Sequence, residues 1–596
     1  MIDGQDFKHI PYGVSDFSDF RESNLYYVDK TRYIRIIEQK GKFLFLIRPR
    51  RFGKSLFLST LEAYYDITRK DRFDYFFNGT DIHQNPTDKR NSYLVLKFNF
   101  SRVDASSETV EDAFLKHIKT TSLAFVRKYK RYLDVNINEI KSEFNSAKSA
   151  SSIMDILLNY CSGKKQKLYV IIDEYDNFAN TILSNSGENA YRAMTRGEGF
   201  FRAFFNVLKG GTSDADAPIA RLFMTGVSPI TLDDVTSGFN IASNISLNSD
   251  LNPLMGFTGT EVETMIDYYR KTGKIHHATD ELLGIMGQWY NHYRFSIHAK
   301  EEVFNTTNVL YFLKEYLVDS QVPINLIDTN SSIDYAKLRH LIIIDKRGKA
   351  ETNGNFSRLQ SLIETGSVNA NIQPGFSIHK LIEPENFYSL LFYFGLLTIR
   401  GTTLTQQAIL SIPNEFVKHL YYDFIAETLD ETLSFSLETK MYSNLYEDCA
   451  IDGKWKPLIE YIAGRMESSL GLRDLMSSEK AHQVFWNAYL GLSQLYHVYS
   501  ERELNQGFCD LVMEPYLLQF PAIKYSYLIE FKYIKPTDYE KKDGKEILQR
   551  LINEAKIQLD QYSLDETFTK AIGKTTLKKI TLIFSGNRMV YHDDVD

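Results

Sequence analysis

Short apolar runs that alternate with helical patterns dominate the N-terminal part of the chain. Runs of this length are typical of buried parallel strands. Helical spacing over residues 109–133 and 191–209 separates the later runs. The pattern therefore predicts an α/β domain built on a parallel, doubly wound sheet. The predicted strands lie at 43–47, 93–100, 167–173 and 219–228.

The pattern changes after residue 250. Residues 261–269 and 281–293 have helical spacing, and residues 380–417 have the pattern of a helix, a turn and short strands, as in a winged helix. Farther on, a helix is predicted over 479–496, strands over 525–532 and 579–585, a strand beginning at Asp510, and a helix that carries Gln558. We therefore expect domains at 1–250, 251–440 and 441–596.

Composition narrows the class of protein. With 596 residues, 43% hydrophobic and 24% charged, the chain has the balance of a globular protein with several cores. Its net charge of −7 restricts any nucleic-acid site to a local patch. Cys161, Cys449 and Cys509 lie far apart, which suits a reducing cytoplasm and excludes a disulfide framework. The longest apolar run, near 390–399, is too short to span a membrane, and residues 1–8 show no signal-peptide pattern.

A phosphate-binding loop is predicted directly after the first strand. Gly53-Lys54-Ser55 opens a helical pattern, so loop amides and free helix N–H groups would face a phosphate. Lys54 would reach the β- and γ-phosphates, and the Ser55 hydroxyl would bind Mg²⁺. Arg48 replaces the first glycine of the usual motif, which indicates a modified loop; the alternative is a chance Gly-Lys-Ser at a helix start. The predicted nucleotide contacts in the loop are Arg50, Arg51, Phe52, Gly53, Lys54, Ser55 and Leu56.

Two carboxylates end the third predicted strand. Asp173 and Glu174 would lie at its carboxyl end, where open α/β sheets bind ligands. Asp173 can hold Mg²⁺ through water, and Glu174 can orient and deprotonate an attacking water. On the next strand, Thr225 would lie close enough to contact the γ-phosphate. The alternative is an acidic turn after a core strand, but the Gly53-Lys54-Ser55 loop upstream favours a nucleoside triphosphatase.

The C-terminal third carries separate candidate chemistry. Glu530 and Lys532 are two apart on a predicted strand and therefore share a face. Asp510, on the neighbouring strand, and Glu530 could share one or two Mg²⁺ ions through oxygen ligands. Lys532 could then position and activate a water against a phosphodiester. The alternative is an edge strand whose Glu and Lys face solvent.

The chain resembles the bacterial AAA-ATPase-like family that carries a C-terminal PD-(D/E)XK nuclease-superfamily domain. An arginine in place of the first glycine of the phosphate loop, as at Arg48 here, is usual in this family. The family often has Gly-Tyr where this chain has Asn291-His292-Tyr293, and Glu479 is the candidate for a further acidic residue near the metal. The motifs that carry the resemblance are Tyr27-Val-Asp-Lys-Thr31, Arg48-Pro-Arg-Arg-Phe-Gly-Lys-Ser55, Ile172-Asp-Glu-Tyr-Asp176, Thr225-Gly-Val227, Trp289-Tyr290, Tyr293-Arg-Phe295, Ile412-Pro-Asn-Glu415, Gly507-Phe-Cys-Asp510, Ile529-Glu-Phe-Lys532 and Ala555-Lys-Ile-Gln558.

The resemblance implies a complete architecture: a P-loop NTPase parallel sheet, a helical, winged-helix-like middle region and a C-terminal restriction-endonuclease-like α/β domain. It assigns ATP and Mg²⁺ to Lys54, Ser55, Asp173 and Glu174. It assigns a nuclease core to Asp510, Glu530, Lys532 and Gln558.

We expect ATP binding or hydrolysis to control a cut in nucleic acid, DNA rather than RNA, that depends on Mg²⁺ or Mn²⁺. The protein would be cytoplasmic, and it could form a homo-oligomer. One alternative is an ATP-driven signalling or scaffold switch whose nuclease-like domain binds DNA or protein without cutting. Another is an action of that domain on protein partners.

Overall fold

The structure is a computed structural model. It describes residues 7–103, 109–177, 182, 189–197, 199–213, 216–230, 241–331, 358–359, 362, 365–433, 437–468, 478–505 and 507–595. The chain divides into two compact units. The first comprises Met1–Asn355 and Val368–Glu415, and the second comprises Phe356–Ser367 and Phe416–Asp596. The three-part division at 250 and 440 stays a prediction.

A five-stranded sheet forms the centre of the first unit, and its paired strands run parallel in the order β2-β3-β4-β1-β5. β1 and β3 are almost fully buried, as the apolar runs predicted. The sheet therefore confirms the predicted α/β fold class, and it places the ends of β1, β3 and β4 side by side. The strands are β1 Phe43–Ile47, β2 Leu94–Asn99, β3 Leu168–Asp173, β4 Ile219–Gly226 and β5 Ser243–Asn244.

Helices surround this sheet, and several begin at side-chain caps. The Thr109 side chain accepts a hydrogen bond from the Asp112 N–H, and the Ser149 side chain accepts one from the Ser152 N–H. Such caps satisfy backbone donors that have no partner within the helix. The helices are α1 Phe17–Glu22, α2 Arg32–Lys40, α3 Lys54–Tyr65, α4 Phe73–Phe77, α5 Asp81–Gln84, α6 Val110–Lys128, α7 Lys130–Leu133, α8 Ile137–Ser146, α9 Ala150–Cys161 and α10 Phe200–Gly210.

The rest of the first unit is mainly helical, with one small sheet. A capping box between Thr258 and Glu261 starts α11, which explains why the helix begins there. The antiparallel strands β7 and β8 follow α14, as a winged-helix-like pattern requires. The elements are α11 Gly259–Lys271, α12 Thr279–Tyr290, α13 Thr306–Asp319, β6 Ser367–Ala370, α14 Pro384–Tyr393, β7 Thr398–Thr402 and β8 Ala408–Ser411.

The second unit has its own five-stranded sheet, in the order β13-β12-β11-β10-β9. β10 pairs antiparallel with β9 and β11, whereas β11 pairs parallel with β12. The elements are α15 Glu415–Leu433, α16 Thr439–Asp452, α17 Trp455–Ser468, α18 Glu479–Leu490, β9 Tyr496–Leu504, β10 Gly507–Pro515, β11 Tyr525–Tyr533, α19 Pro536–Tyr539, α20 Gly544–Tyr562, α21 Glu566–Ile572, β12 Thr576–Ser585 and β13 Arg588–Asp594.

Three sequence predictions in this unit were wrong in extent. The helix expected over 479–496 ends at Leu490, where Gly491 caps it, and Tyr496 already begins β9. The strand expected to begin at Asp510 begins at Gly507, and the strand expected over 579–585 begins at Thr576. A turn at Gly586 then leads into β13, which was not predicted. Within the described ranges, no helix is both long enough and apolar enough to cross a membrane.

Candidate functional site

The loop between β1 and α3 has the geometry of a phosphate cradle. Gly53 has a φ of 90°, the left-handed region that glycine adopts without strain. The first intrahelical bond runs from the Phe57 N–H to the Gly53 carbonyl. The N–H groups of Lys54, Ser55 and Leu56 therefore precede the helical ladder and can face an anion.

Arg48 does not face this cradle, although it occupies the position of the usual first glycine. Its guanidinium is buried and donates to the carbonyls of Ile47 at 3.0 Å, Ser246 at 2.5 Å and Leu251 at 3.3 Å. It also lies 4.4 Å from the ring centre of Phe295. Burial lowers the pKa of Arg48 to about 9. Arg48 thus replaces a flexible glycine with a side chain that fastens the end of β1 to the 246–251 segment.

We expect Arg48→Gly, which restores the usual motif, to lower the free energy of unfolding by about 3 kcal/mol. The loss combines an unfilled cavity with three buried carbonyls left without this donor. Urea denaturation measures it. Arg90→Gly is the matched control. Arg90 is exposed, with its guanidinium 4.3 Å from the ring centre of Phe73, and its loss should cost under about 1 kcal/mol. Equal stability of the Arg48→Gly variant and the wild type would contradict this role.

The Lys54 ammonium is buried in the loop. It donates to the carbonyls of Arg48 at 3.0 Å and Pro49 at 2.7 Å. Burial lowers the pKa of Lys54 to about 8, although Glu174, Asp173 and Asp176 oppose that shift. The two carbonyls hold the ammonium at the loop, where a phosphate could take their place.

This pKa predicts a pH dependence of ATP binding. Only the protonated Lys54 attracts phosphate, so affinity should fall as pH rises through about 8. Between about pH 7 and about pH 9 the dissociation constant for ATP should increase about tenfold. Fluorescent ATP-analogue titration measures this. Lys54→Arg should give a nearly flat profile, because arginine stays charged over this range; a flat wild-type profile would refute the assignment.

Asp173 lies directly beside the loop. Its Oδ2 accepts a hydrogen bond from the Ser55 hydroxyl at 2.7 Å, while its buried Oδ1 has no hydrogen-bond partner among the described residues. A buried carboxylate oxygen without a donor is costly unless a cation or water satisfies it. Ser55 and Asp173 together offer the hydroxyl and carboxylate oxygens that Mg²⁺ prefers, so the pair fits the predicted metal.

Glu174 has a strained backbone. Its φ is 50°, which is uncommon for a residue other than glycine. Burial raises the pKa of Glu174, Lys54 and Arg50 oppose the shift, and Asp173 adds to it. A raised pKa makes this carboxylate a stronger general base near neutral pH, as the predicted role requires.

Asp176 was not singled out as a site residue in the sequence, although it lies in the same motif. It is buried and accepts hydrogen bonds from the N–H groups of Val227 and Ser228, just after β4. Burial raises its pKa, and these two backbone donors oppose the shift. Asp176 thus ties the acidic turn to the β4 end, and its spacing three residues after Asp173 was the available signal.

The other predicted nucleotide contacts differ in whether the side chain or only the backbone could contact a ligand. Arg50 donates to Asn177 Oδ1 at 3.2 Å and lies near the acidic turn. Phe52 is buried with its ring 4.8 Å from Tyr293, so only its backbone can serve a ligand. The Thr225 hydroxyl donates to the Leu46 carbonyl at 2.7 Å, which gives it a structural contact to β1. A role for Thr225 at the γ-phosphate stays a prediction.

In the second unit, Asp510 and Glu530 come together across β10 and β11. They lie one position beyond the Leu511–Ile529 pair of the antiparallel register. Asp510 Oδ2 accepts the Phe531 N–H at 2.7 Å, and Glu530 Oε1 accepts the Lys532 ammonium at 2.8 Å. The buried Oε2 of Glu530 has no hydrogen-bond partner in the described part of the chain.

These three charges are buried together. Burial raises the pKa of Asp510 well above its usual value, and the neighbouring Glu530 raises it further. Burial also raises the pKa of Glu530, although Lys532 opposes the shift. For Lys532, burial opposes the charge, but Glu530 and Asp510 outweigh it and raise the pKa. Two carboxylates that are costly to ionise side by side form a site that a divalent cation would relieve.

Gln483 is a site residue that the sequence prediction missed. It lies in α18 and donates from Nε2 to Asp510 Oδ1 at 2.5 Å. Glu479, one turn earlier on the same helix, is close enough to Lys532 to interact electrostatically, and burial raises the pKa of Glu479. The i, i+4 spacing of the two was the available signal. Gln558 lies in α20, with Nε2 at 3.5 Å from the Tyr562 hydroxyl, which itself is near Glu530.

The carboxylates of Asp510 and Glu530 suit Mg²⁺ better than a metal that is held by protein side chains alone. Among the described residues, no three His, Cys, Asp or Glu side chains are grouped to hold a metal. Mg²⁺ is commonly held by one or two carboxylates, with waters and substrate phosphates completing the shell. The unsatisfied Glu530 Oε2 and the adjacent Asp510 match that requirement.

Comparisons with known proteins match these two regions. A family model described as predicted AAA-ATPase matches residues 11–236, and one described as PD-(D/E)XK nuclease superfamily matches residues 477–594. An uncharacterised protein in the vnfD 5′ region of Azotobacter chroococcum mcd 1 is 26% identical over 332 residues. The match covers 54% of this chain and 56% of that relative, so the chain spans about half of the relative's length.

A solved structure of the Aeropyrum pernix ORC1 protein in complex with DNA is also similar, with a TM-score of 0.25 and 11% identity over 67% of this chain and 93% of that one. The family matches coincide with the parallel sheet that holds Lys54 and Asp173 and with the sheet that holds Glu530 and Lys532. The chain therefore combines an AAA-ATPase-like domain at residues 11–236 with a domain of the PD-(D/E)XK nuclease superfamily at residues 477–594.

Proposed function

We propose that the protein binds and hydrolyses ATP and thereby controls a Mg²⁺-dependent cleavage of DNA. The observation that carries the cleavage is the buried pair of Lys532 and Glu530, whose side chains are 11% and 1% exposed. Burying two opposite charges is costly, and the Asp510 carboxylate beside them interacts unfavourably with that of Glu530. A metal-dependent hydrolytic centre gives a reason for this arrangement.

In the ATPase site, positioning would supply most of the catalysis. Loop N–H groups and Lys54 would hold the phosphates, and Ser55 with Asp173 would hold Mg²⁺. Glu174 would orient a water in line with the γ-phosphate and take its proton. Arg50, which interacts with Asn177 and Glu174, would add positive charge near the phosphates.

In the nuclease-like site, Asp510 and Glu530 would hold the metal, which supplies charge stabilisation to a phosphodiester when it is bound. Lys532 would hold the attacking water or a phosphate oxygen by donating a hydrogen bond. Gln483 would keep Asp510 in place through its hydrogen bond to Oδ1. Gln558 and Glu479 would lie at the edge of this site.

The test is a cleavage assay on plasmid DNA, single-stranded DNA and RNA, with Mg²⁺ or Mn²⁺ and with or without ATP. The wild type is compared with Asp510→Asn and Lys54→Ala. The proposal expects cleavage of DNA that disappears in Asp510→Asn and that responds to ATP only while Lys54 is intact. ATP hydrolysis without cleavage of any substrate would reject the nuclease and favour an ATP-driven switch.

A further inference from the structure

The start of α13 lies against the phosphate loop, although the two are far apart in sequence. The N–H and the hydroxyl of Thr307 both donate to the Arg51 carbonyl, each at 3.2 Å. The Thr306 hydroxyl lies 4.0 Å from where a Cβ on Gly53 would sit. Arg51 has a φ of 69°, so this double contact holds a strained loop residue. The N-terminus of a second helix therefore adjoins the cradle formed by α3.

At this helix start, two buried side-chain amide groups have donors with no partner among the described residues. Asn305 is the N-cap, and its Oδ1 accepts the Asn308 N–H at 3.2 Å, which places its carboxamide over the helix N-terminus. Asn308 Oδ1 accepts the Ser331 hydroxyl at 3.1 Å. Asn305 and Asn308 are 0% and 1% exposed. Nδ2 of each has no hydrogen-bond partner among the described residues.

Unsatisfied buried N–H donors are rare, because each costs the desolvation of the group. Two of them at one helix N-terminus, where the helix dipole also favours negative charge, point to an anionic ligand.

The surrounding charges agree with an anion. Asp328 is the nearby buried carboxylate, and it is engaged by the hydroxyls of Tyr12 and Ser331 and by the Asn330 N–H. The Arg51 guanidinium reaches the Asn330 carbonyl at 3.3 Å, which puts a positive charge at the same network. The donors of Asn305 and Asn308 thus lie near the Arg51 guanidinium, and the nearby Asp328 carboxylate already accepts hydrogen bonds from three other residues.

We infer that Asn305 and Asn308, with the N-terminus of α13, form a second set of donors for the phosphate chain of the bound nucleotide. This inference rests on the proposed ATP site. The nucleotide would lie between two helix N-termini, those of α3 and α13. These additional donors would compensate for the missing first glycine of the modified loop.

The test measures ATP, ADP and AMP affinities for Asn305→Asp and Asn308→Asp by calorimetric titration. Aspartate keeps the shape and the capping oxygen but replaces the donor with a negative charge. ATP and ADP should each bind at least about tenfold more weakly, since a hydrogen bond to a charged group is replaced by repulsion. AMP, with the shortest phosphate chain, should be least affected. The melting temperature of each variant is recorded beside its affinity, because a carboxylate at these buried positions is costly.

Asn136→Asp is the matched control. Asn136 is an exposed N-cap that accepts the Asn138 N–H at 3.0 Å, so Asn136→Asp should leave nucleotide affinity unchanged. Wild-type affinity for ATP in both Asn305→Asp and Asn308→Asp, with binding lost in Lys54→Ala, would overturn the inference and leave the ATP site standing. No nucleotide binding by the wild type would overturn both.

Discussion

Lys532→Ala is expected to reduce metal-dependent DNA cleavage by about a thousandfold. Lys532 is the one cation hydrogen-bonded to Glu530 in the described part of the site, at 2.8 Å. Its removal takes away the donor for the attacking water or phosphate oxygen, and such preorganised donors are typically worth two to three powers of ten. Initial cleavage rates at saturating Mg²⁺ measure the loss.

Two controls separate this loss from unfolding. Lys535→Ala removes an exposed lysine three positions later and should cleave at the wild-type rate. Lys532→Ala leaves Glu530 without its cation, so its melting temperature and its circular dichroism must be recorded beside the rate. A folded Lys532→Ala variant that cleaves within a factor of about three of the wild type would remove Lys532 from the catalytic assignment.

Glu174→Gln is expected to keep ATP binding and to lose ATP hydrolysis by two to four powers of ten. The amide keeps the size of the side chain but cannot accept a proton, and general-base catalysis contributes about this much. The proposed loop contacts to the phosphates, from the 50–56 segment, would be unchanged. Phosphate release at saturating ATP gives the rate, and analogue titration gives the affinity.

Glu139→Gln serves as the matched control for this second prediction. Glu139 is exposed on α8, and the same substitution there should alter neither quantity. An ATPase rate in Glu174→Gln that equals the wild-type rate would require another base. If ATP binding fell together with hydrolysis, Glu174 would act in holding the nucleotide.

A comparison of Glu174→Gln with the wild type also tests the proposed control of cleavage by ATP, apart from the two individual activities. If ATP controls cleavage, the Glu174→Gln variant should remain in the response that bound ATP produces, because the nucleotide is held but not consumed. Cleavage that is identical with and without ATP in the wild type would remove the control and leave two independent enzymes.

The local features were determined by the sequence alone. Strand β1 and its loop, the carboxylates after β3, and the shared face of Glu530 and Lys532 all follow from periodicity and chain adjacency, which act over a few residues. The α/β class followed from the alternation of short apolar runs and helical patterns. The end of α18 at Leu490 was missed because the apolar pattern continues into β9.

The partners of these residues were decided by the tertiary structure. Gln483 meets Asp510 across 27 positions, and Thr307 meets Arg51 across 256. The burial of Arg48 among three carbonyls and the turn of Thr225 toward β1 likewise depend on which segments pack together. No local pattern encodes such contacts, because they arise when distant elements share one core. That packing satisfies some buried polar atoms and leaves others, such as Nδ2 of Asn305, without a hydrogen-bond partner among the described residues.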